Sequence, residues 1–105
     1  MRDLVLRPAA QADLERLLRF IADRSGNPET AIGYIQRIRA HCEKLRDFPQ
    51  IGRPRDDLRP GLRIIAFERR VVIAYVLLPS GDIEIGRVFY GGRNYEALIR
   101  DDTDL

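Results

Sequence analysis

The sequence predicts an α+β domain in which an antiparallel helical hairpin packs on one face of a small, mainly antiparallel sheet. Three β-type runs fill residues 61–93, separated by two short polar breaks. Two stretches with helical apolar spacing precede them, after a short β-prone run near the N-terminus. The predicted element order is therefore β-α-α-β-β-β. A chain of 105 residues fits one domain, residues 1–105.

The three β-type runs predict a meander. Val71–Leu78 is apolar throughout and rich in β-branched residues, which is typical of a central strand. The turn-rich segment 79–82 joins it to Ile83–Tyr90, so these two runs should form an antiparallel hairpin. Leu62–Phe67 can pair on the other side of the central strand through the charged break 68–70.

Alternation in the last run assigns its side chains to two faces. Ile83, Ile85 and Phe89 are predicted on one face. The other face takes Glu84, Gly86, Val88 and Tyr90. By the same parity Arg87 belongs with the isoleucines, where an arginine needs a partner, a bulge or a cleft because an isolated buried charge costs several kcal/mol.

The segments before the sheet predict a short strand and two helices. Residues 3–7 form the first strand, which Pro8 ends. A helix is predicted over residues 9–24 and ends at Ser25-Gly26. A second helix begins at Asn27-Pro28-Glu29, with the asparagine as N-cap, and runs to about Asp47. The first strand should lie at an edge of the sheet or beside the last strand.

Two connecting segments complete the chain. Residues 50–60 form a charged, irregular connection into the sheet. After Arg93, Asn94 is predicted to cap one short helical turn over residues 95–99. Residues 100–105 are predicted to be a frayed acidic tail.

Composition excludes several classes of site. The formal net charge is +2, and Lys44 is the only lysine, so the basic residues are almost all arginine. Cys42 is the only cysteine, which rules out an intramolecular disulfide and argues against a cysteine-based metal site. No cofactor or metal is expected. Without a signal-like or membrane-spanning apolar run, a cytoplasmic protein is expected.

An arginine-rich set is the main candidate for function. Two interpretations stay open: the arginines form an anion-binding concavity, or they pair with Asp56, Asp57, Glu68 and Glu84 as structural ion pairs. His41 is expected at the surface and Cys42 in the core. The set comprises Arg53, Arg55, Arg59, Arg63, Arg69, Arg70, Arg87 and Arg93, with Tyr75 and Tyr90 among them.

Three segments carry a resemblance to a known family. They are residues 48–63 (FPQIGRPRDDLRPGLR), residues 71–75 (VVIAY) and residues 83–93 (IEIGRVFYGGR). In this order and at these distances, they resemble the ParE branch of the ParE/RelE toxin superfamily of bacterial toxin-antitoxin modules. The resemblance covers nearly the whole chain, from the first strand to Arg93.

The resemblance implies a toxin that inhibits DNA gyrase by binding and is neutralised by a ParD-like ribbon-helix-helix antitoxin. The expected assembly is a hetero-oligomer with that antitoxin, touching DNA only through the antitoxin or gyrase, with no membrane partner. Its target-facing or antitoxin-facing surface would comprise Arg53, Arg55, Arg59, Arg63, Arg87, Tyr90 and Arg93.

Two alternatives accompany this hypothesis. The related RelE-type proteins are ribosome-dependent mRNA endoribonucleases, and on that pattern Arg63 and Arg87 would hold phosphate while Tyr90 assists proton transfer. Tyr90 stands where many ParE relatives carry histidine, and a tyrosine hydroxyl is a poor base at neutral pH, so binding is favoured over catalysis. The other alternative is a non-toxic member that only binds the antitoxin.

Overall fold

The computed structural model describes residues 2–102, which form one five-stranded sheet and three α-helices packed against it. The predicted β-α-α-β-β-β order is confirmed, with one added strand, and the predicted helical turn over residues 95–99 is present within a helix. In chain order the elements are β1 (Leu4–Leu6), α1 (Pro8–Ser25), α2 (Pro28–Glu43), β2 (Arg53–Pro54), β3 (Leu62–Phe67), β4 (Val71–Leu77), β5 (Ile83–Tyr90) and α3 (Tyr95–Asp101).

The sheet has the order β1-β5-β4-β3-β2. β1 runs parallel to β5 at one edge, and the other neighbours are antiparallel. The first strand therefore lies both at an edge and beside the last strand. The irregular connection predicted over residues 50–60 contains β2, in which Arg53 pairs with Ile64 and Pro54 with Arg63. A two-residue strand is too short to leave an alternating pattern in the sequence.

The two faces of the sheet carry different layers. α1 and α2 cover one face, called the helix face, where the apolar side chains of β4 at Val71, Ile73 and Tyr75 are fully buried. The opposite face, called the α3 face, is covered by α3 and by Leu58 of the loop before β3. Ile99 of α3 is fully buried there beside Phe89. Both faces are therefore packed, and neither is an open platform.

A bulge in β5 changes the predicted parity. Tyr75 of β4 pairs with Ile85, and the residue before it, Ala74, pairs with Arg87. Gly86 lies between these two pairs without a partner of its own in β4, so it is the extra residue. Ile83 and Ile85 lie on the helix face as one set, as predicted. Beyond the bulge the prediction is wrong: Val88 and Tyr90 share the helix face, while Phe89 lies on the α3 face.

Local signals set the ends of the helices. α1 ends at Gly26, whose φ of 66° is left-handed and whose N–H donates to the carbonyl of Ala22. The side chain of Asn27 accepts from the N–H of Glu29, so the predicted N-cap of α2 is confirmed. A single 3₁₀ turn over Lys44–Arg46 extends the helical segment close to the predicted end.

The C-terminal segment is more ordered than the sequence predicted. The side chain of Asn94 caps α3 by accepting from the N–H of Ala97. Arg100 and Asp101 belong to that helix, and Asp102 bonds Arg87, so the prediction of a frayed tail is wrong for residues 100–102. The rest of that predicted tail, residues 103–105, lies outside the described residues. No helix within residues 2–102 is long and apolar enough to cross a bilayer.

Candidate functional site

The seven residues predicted to form one surface lie at three places. Tyr90 and Arg93 border a groove between α1 and the end of β5. Arg55, Arg59 and Arg87 contact α3 or the residue after it. The remaining two, Arg53 and Arg63, lie at the β2–β3 edge of the sheet.

The groove, called the α1–β5 groove, has a volume of about 370 Å³. Leu17 and Val88 give it an apolar floor, and Arg16 and Arg93 lie at its border as exposed cations. Its full lining is Asp13, Arg16, Leu17, Phe20, Val88, Tyr90, Gly91 and Arg93. This combination suits a partner that presents apolar and acidic side chains together.

Aromatic rings form one wall of the α1–β5 groove. Tyr90 packs edge-on against Phe20 at 5.9 Å and against Tyr34 of α2 at 6.2 Å between ring centroids. Phe20 remains 45% exposed, and the guanidinium of Arg24 lies 5.3 Å from its ring centroid. A partly exposed ring beside a cation is a favourable contact surface for a protein partner.

Asp13 lies at the inner end of the groove and is 6% exposed. Its Oδ2 accepts from Nε of Arg87 and from the backbone N–H of Val88, both at 2.8 Å. Its Oδ1 accepts from Arg87 at 3.1 Å and from Arg16 at 2.6 Å. Because β1 ends at Leu6, the carboxylate bonds the edge of β5 where no strand continues.

Arg87 has the charged partners that an arginine among apolar neighbours requires. Its guanidinium bridges Asp13 and Asp102, reaching the Asp102 carboxylate at 2.8 Å, and it lies 5.0 Å from the ring centroid of Phe89. Hydrogen bonding to Asp13 raises the pKa of Arg87, with Asp102 adding to the effect against the opposing effect of burial. Arg87 therefore forms a structural ion pair, as in the second of the two interpretations, but the predicted partners are wrong: it pairs with Asp13 and Asp102.

Arg55 and Arg59 hold the two ends of α3. Arg55 bonds the carboxylates of Glu96 and Asp57 and donates to the hydroxyl of Tyr95 at 3.2 Å. Arg59 donates to the backbone carbonyls of Arg100 and Asp102, at 3.2 and 2.6 Å. Arg59 thereby meets the carbonyl end of the helix, where a cation is favourable.

Arg63 contacts the loop before β2. Its Nη1 donates to the carbonyls of Gln50 and Gly52, at 3.1 and 2.8 Å. Arg63 pairs across the sheet with Tyr75, which places it on the helix face, whereas Arg87 pairs with Ala74 on the α3 face. The two arginines proposed to share a phosphate therefore lie on opposite faces of the sheet.

Asp13 and Asp102, the two carboxylates that bond Arg87, were not among the residues predicted for the site. Asp13 lies three residues after Ala10 and one before Leu14, at a position of the buried α1 stripe. An acidic residue on the apolar stripe of a helix needs a charged or hydrogen-bonding partner, and Arg87 also needed one. These two requirements together were the signal that could have paired Asp13 with Arg87. The described residues contain no group of three or more histidine, cysteine or acidic side chains placed to hold a metal ion.

Known proteins match this chain over nearly its whole length. A family model described as the ParE toxin of type II toxin-antitoxin system, parDE, matches residues 4–95. The chain belongs to the ParE toxin family. Toxin ParE3 of Caulobacter vibrioides is 33% identical over 91 residues, covering 87% of this chain and 88% of that protein. Toxin ParE1 of Mycobacterium tuberculosis is 31% identical over 86 residues, covering 82% of this chain and 86% of that one.

A solved structure with the same fold agrees with this assignment. The structure titled "Chromosomal ParDE TA system from P. aeruginosa" superposes with a TM-score of 0.67 at 26% identity. The match covers 87% of this chain and 97% of that chain. The predicted ParE/RelE-like fold is confirmed, and the chain is a ParE toxin of a ParDE type II toxin-antitoxin system. Such a system implies an antitoxin as a partner.

Proposed function

We propose that this ParE toxin inhibits DNA gyrase by binding it and is neutralised by a ParD-like antitoxin. The observation that carries the proposal is the family match over residues 4–95. The placement of the arginines supports binding over phosphodiester cleavage, because Arg63 bonds backbone carbonyls and Arg87 bonds two carboxylates. In this proposal Arg55, Arg59, Arg63 and Arg87 maintain the shape of the toxin, while Arg53, Tyr90 and Arg93 face partners.

The antitoxin would bind along the α1–β5 groove. Its apolar side chains would pack on Leu17, Phe20 and Tyr90, and its acidic side chains would approach Arg16 and Arg93. A segment that is unfolded when free can cover such a groove while ordering on contact. The expected complex is a hetero-oligomer that contacts DNA through the antitoxin or through gyrase.

The target is tested with purified gyrase. The experiment measures supercoiling and the accumulation of cleaved DNA with toxin alone and after the antitoxin is added. Loss of supercoiling with trapped cleaved DNA, reversed by the antitoxin, is the expected result. Unchanged supercoiling at toxin concentrations that fully saturate the antitoxin would reject gyrase as the target.

Antitoxin binding is tested by charge and by groove variants. Higher salt should lower the association rate more than it raises the dissociation rate, because exposed arginines steer the encounter. Phe20→Ala and Arg93→Gln should each weaken the complex, whereas Arg19→Gln, on the exposed side of α1, is the matched control. Equal affinities for all three variants would place the antitoxin elsewhere.

A further inference from the structure

The most exposed large apolar side chains among the described residues lie in one short loop. Phe48 is 63% and Ile51 is 64% exposed. They occupy the turn between the 3₁₀ segment and β2, residues 48–52, which is called the 48–52 loop. Scattered exposed apolar residues are ordinary, but two within four positions form a patch that requires an explanation.

The backbone of this loop is held by two side chains of the sheet. The hydroxyl of Tyr75 donates to the carbonyl of Pro49 at 2.8 Å and accepts from the N–H of Gly52 at 2.9 Å. Arg63 donates to the carbonyls of Gln50 and Gly52. Because Tyr75 is fully buried, the loop is anchored from the core and not only from its ends.

Gly52 is required for this anchorage. A Cβ at position 52 would lie 2.5 to 2.9 Å from the hydroxyl and ring atoms of Tyr75, which is closer than real contacts allow. The anchors fix the backbone, but they do not require apolar side chains at positions 48 and 51. The loop therefore presents Phe48 and Ile51 in a fixed geometry, which lowers the entropic cost of binding.

The surroundings of the loop indicate what it contacts. Ile51 borders a second cavity of about 370 Å³ that also includes His41, Lys44 and Arg53 and whose lining contains no carboxylate. β2 pairs with β3 only as far as Ile64, so the β3 edge continues beyond β2, and its residues 65 and 66 line this cavity. On the side of this cavity, the apolar projection is bordered by Lys44, Arg53 and a strand edge, which is complementary to an apolar cleft flanked by acidic side chains.

We propose that the 48–52 loop is the surface with which this toxin engages its cellular target, a protein presenting an apolar cleft bordered by carboxylates. The inference rests on the proposed function in one respect, that the toxin acts by binding a protein target. The strand order places the loop at the β2 edge, three strands from β5 and the α1–β5 groove proposed for the antitoxin. The target surface and the antitoxin surface are therefore separate, and Tyr75, Arg63 and Gly52 act as positioning residues.

The test compares two double variants of the full chain. Phe48→Ala with Ile51→Ala removes the projection, and Val5→Ala with Ile32→Ala removes comparably exposed apolar side chains elsewhere, 52% and 47% exposed. Growth arrest is measured after induction without antitoxin, and antitoxin affinity is measured with purified proteins. The loop variant should require at least about tenfold more toxin for the same growth arrest, and its antitoxin affinity should stay within about twofold.

Each other outcome overturns the inference or separates it from the proposed function. Full growth arrest by the loop variant would overturn it, and so would equal losses in both double variants. Loss of antitoxin affinity would make the loop an antitoxin surface instead.

If wild-type toxin arrests growth without affecting gyrase, gyrase is rejected, while a loss of arrest in the loop variant still supports the target surface. A wild-type chain that arrests no growth would overturn both proposals. Equal urea midpoints of the variants and wild type exclude a folding defect.

Discussion

Asp13 and Arg87 form a two-point contact between α1 and β5, with Nε to Oδ2 at 2.8 Å and Nη2 to Oδ1 at 3.1 Å. The carboxylate is almost completely buried, and its Oδ2 also accepts the N–H of Val88. The pair therefore joins the first helix to the last strand at a point where β5 has no neighbouring strand on its β1 side. Replacing Asp13 would leave the N–H of Val88 unpaired and would remove two of the hydrogen bonds that hold the part-buried guanidinium of Arg87.

Asp13→Ala should lower the free energy of unfolding by about 3–5 kcal/mol, the range for one partner removed from a buried pair. Asp23→Ala, at an exposed position of the same helix, is the control and should change little. Urea denaturation followed by circular dichroism gives both values. Adding Arg87→Met to Asp13→Ala should recover part of the loss, because the part-buried guanidinium that lost its Asp13 partner is then removed as well. Similar stabilities for the two single variants would show that the contact contributes nothing.

Gly52→Ala should destabilise the protein by about 1–3 kcal/mol, as overpacking of a filled site does. The added methyl would meet the ring of Tyr75, which is fully buried and bonded to the loop at Pro49 and at Gly52 itself. Gly33→Ala is the matched control, because a Cβ there meets nothing within 4 Å. In the middle of α2 that change should stabilise by about 0.5–1 kcal/mol. Thermal unfolding distinguishes the opposite signs, and a shift in the same direction for both would contradict the close approach at Gly52.

Arg69→Gly should stabilise the β3–β4 hairpin by about 0.5–1 kcal/mol, because a residue with a side chain is disfavoured in the left-handed region. Glu68 and Arg69 have φ values of 49° and 63°, and Arg70 donates to the carbonyl of Phe67 across the turn. Positive φ values at both central residues of a β-turn normally favour asparagine and glycine. Arg70→Gly, just after the turn, should instead destabilise slightly. Chemical denaturation of both variants tests the contrast, which fails if Arg69→Gly is the less stable of the two.

Stability should decrease as the pH rises above about 9. Burial raises the pKa of the Cys42 thiol from 9.0 to about 12, so above pH 9 the unfolded chain loses this proton while the folded chain keeps it. The folded state then binds more protons, and the free energy of unfolding falls by up to about 1.4 kcal/mol per pH unit. Urea midpoints between pH 8 and 10 measure the slope, and Cys42→Val should flatten it. An unchanged slope in that variant would assign the effect to other groups.

Periodicity predicted the parts of the fold that depend on repeated local choices. The stripes of α1 and α2, the apolar run of β4 and the turn residues between strands each repeat a signal over several positions. The bulge at Gly86 breaks this logic, since one inserted residue exchanges the faces of every later side chain. The side chains beyond it, including Tyr90, were therefore assigned to the wrong face.

The candidate site was less predictable, because its contacts join distant residues. Arg87 was correctly seen to need a partner, yet Asp13 is 74 positions away, and only the packing of α1 against β5 brings them together. The arginines of the predicted surface lie at three separate places: Arg55 and Arg59 bond α3, for example, whereas Arg63 bonds the loop before β2. The exposure of Phe48 and Ile51 also depends on the Tyr75 anchor and leaves no periodic pattern. The composition therefore indicated that arginines matter, but only the tertiary structure shows which residue each of them contacts.

The parallel pairing of β1 with β5 also has a consequence for the order of folding. The N–H of Ile83 donates to the carbonyl of Asp3, and that of Arg7 donates to Ile85, so the first strand is bonded only to the last. During synthesis β1 emerges first but has no neighbour until β5 has followed it, whereas the β3–β4–β5 meander needs only local contacts. Such long-range closure is slow relative to hairpin formation. The nascent chain therefore completes its sheet only after β5 has been synthesised.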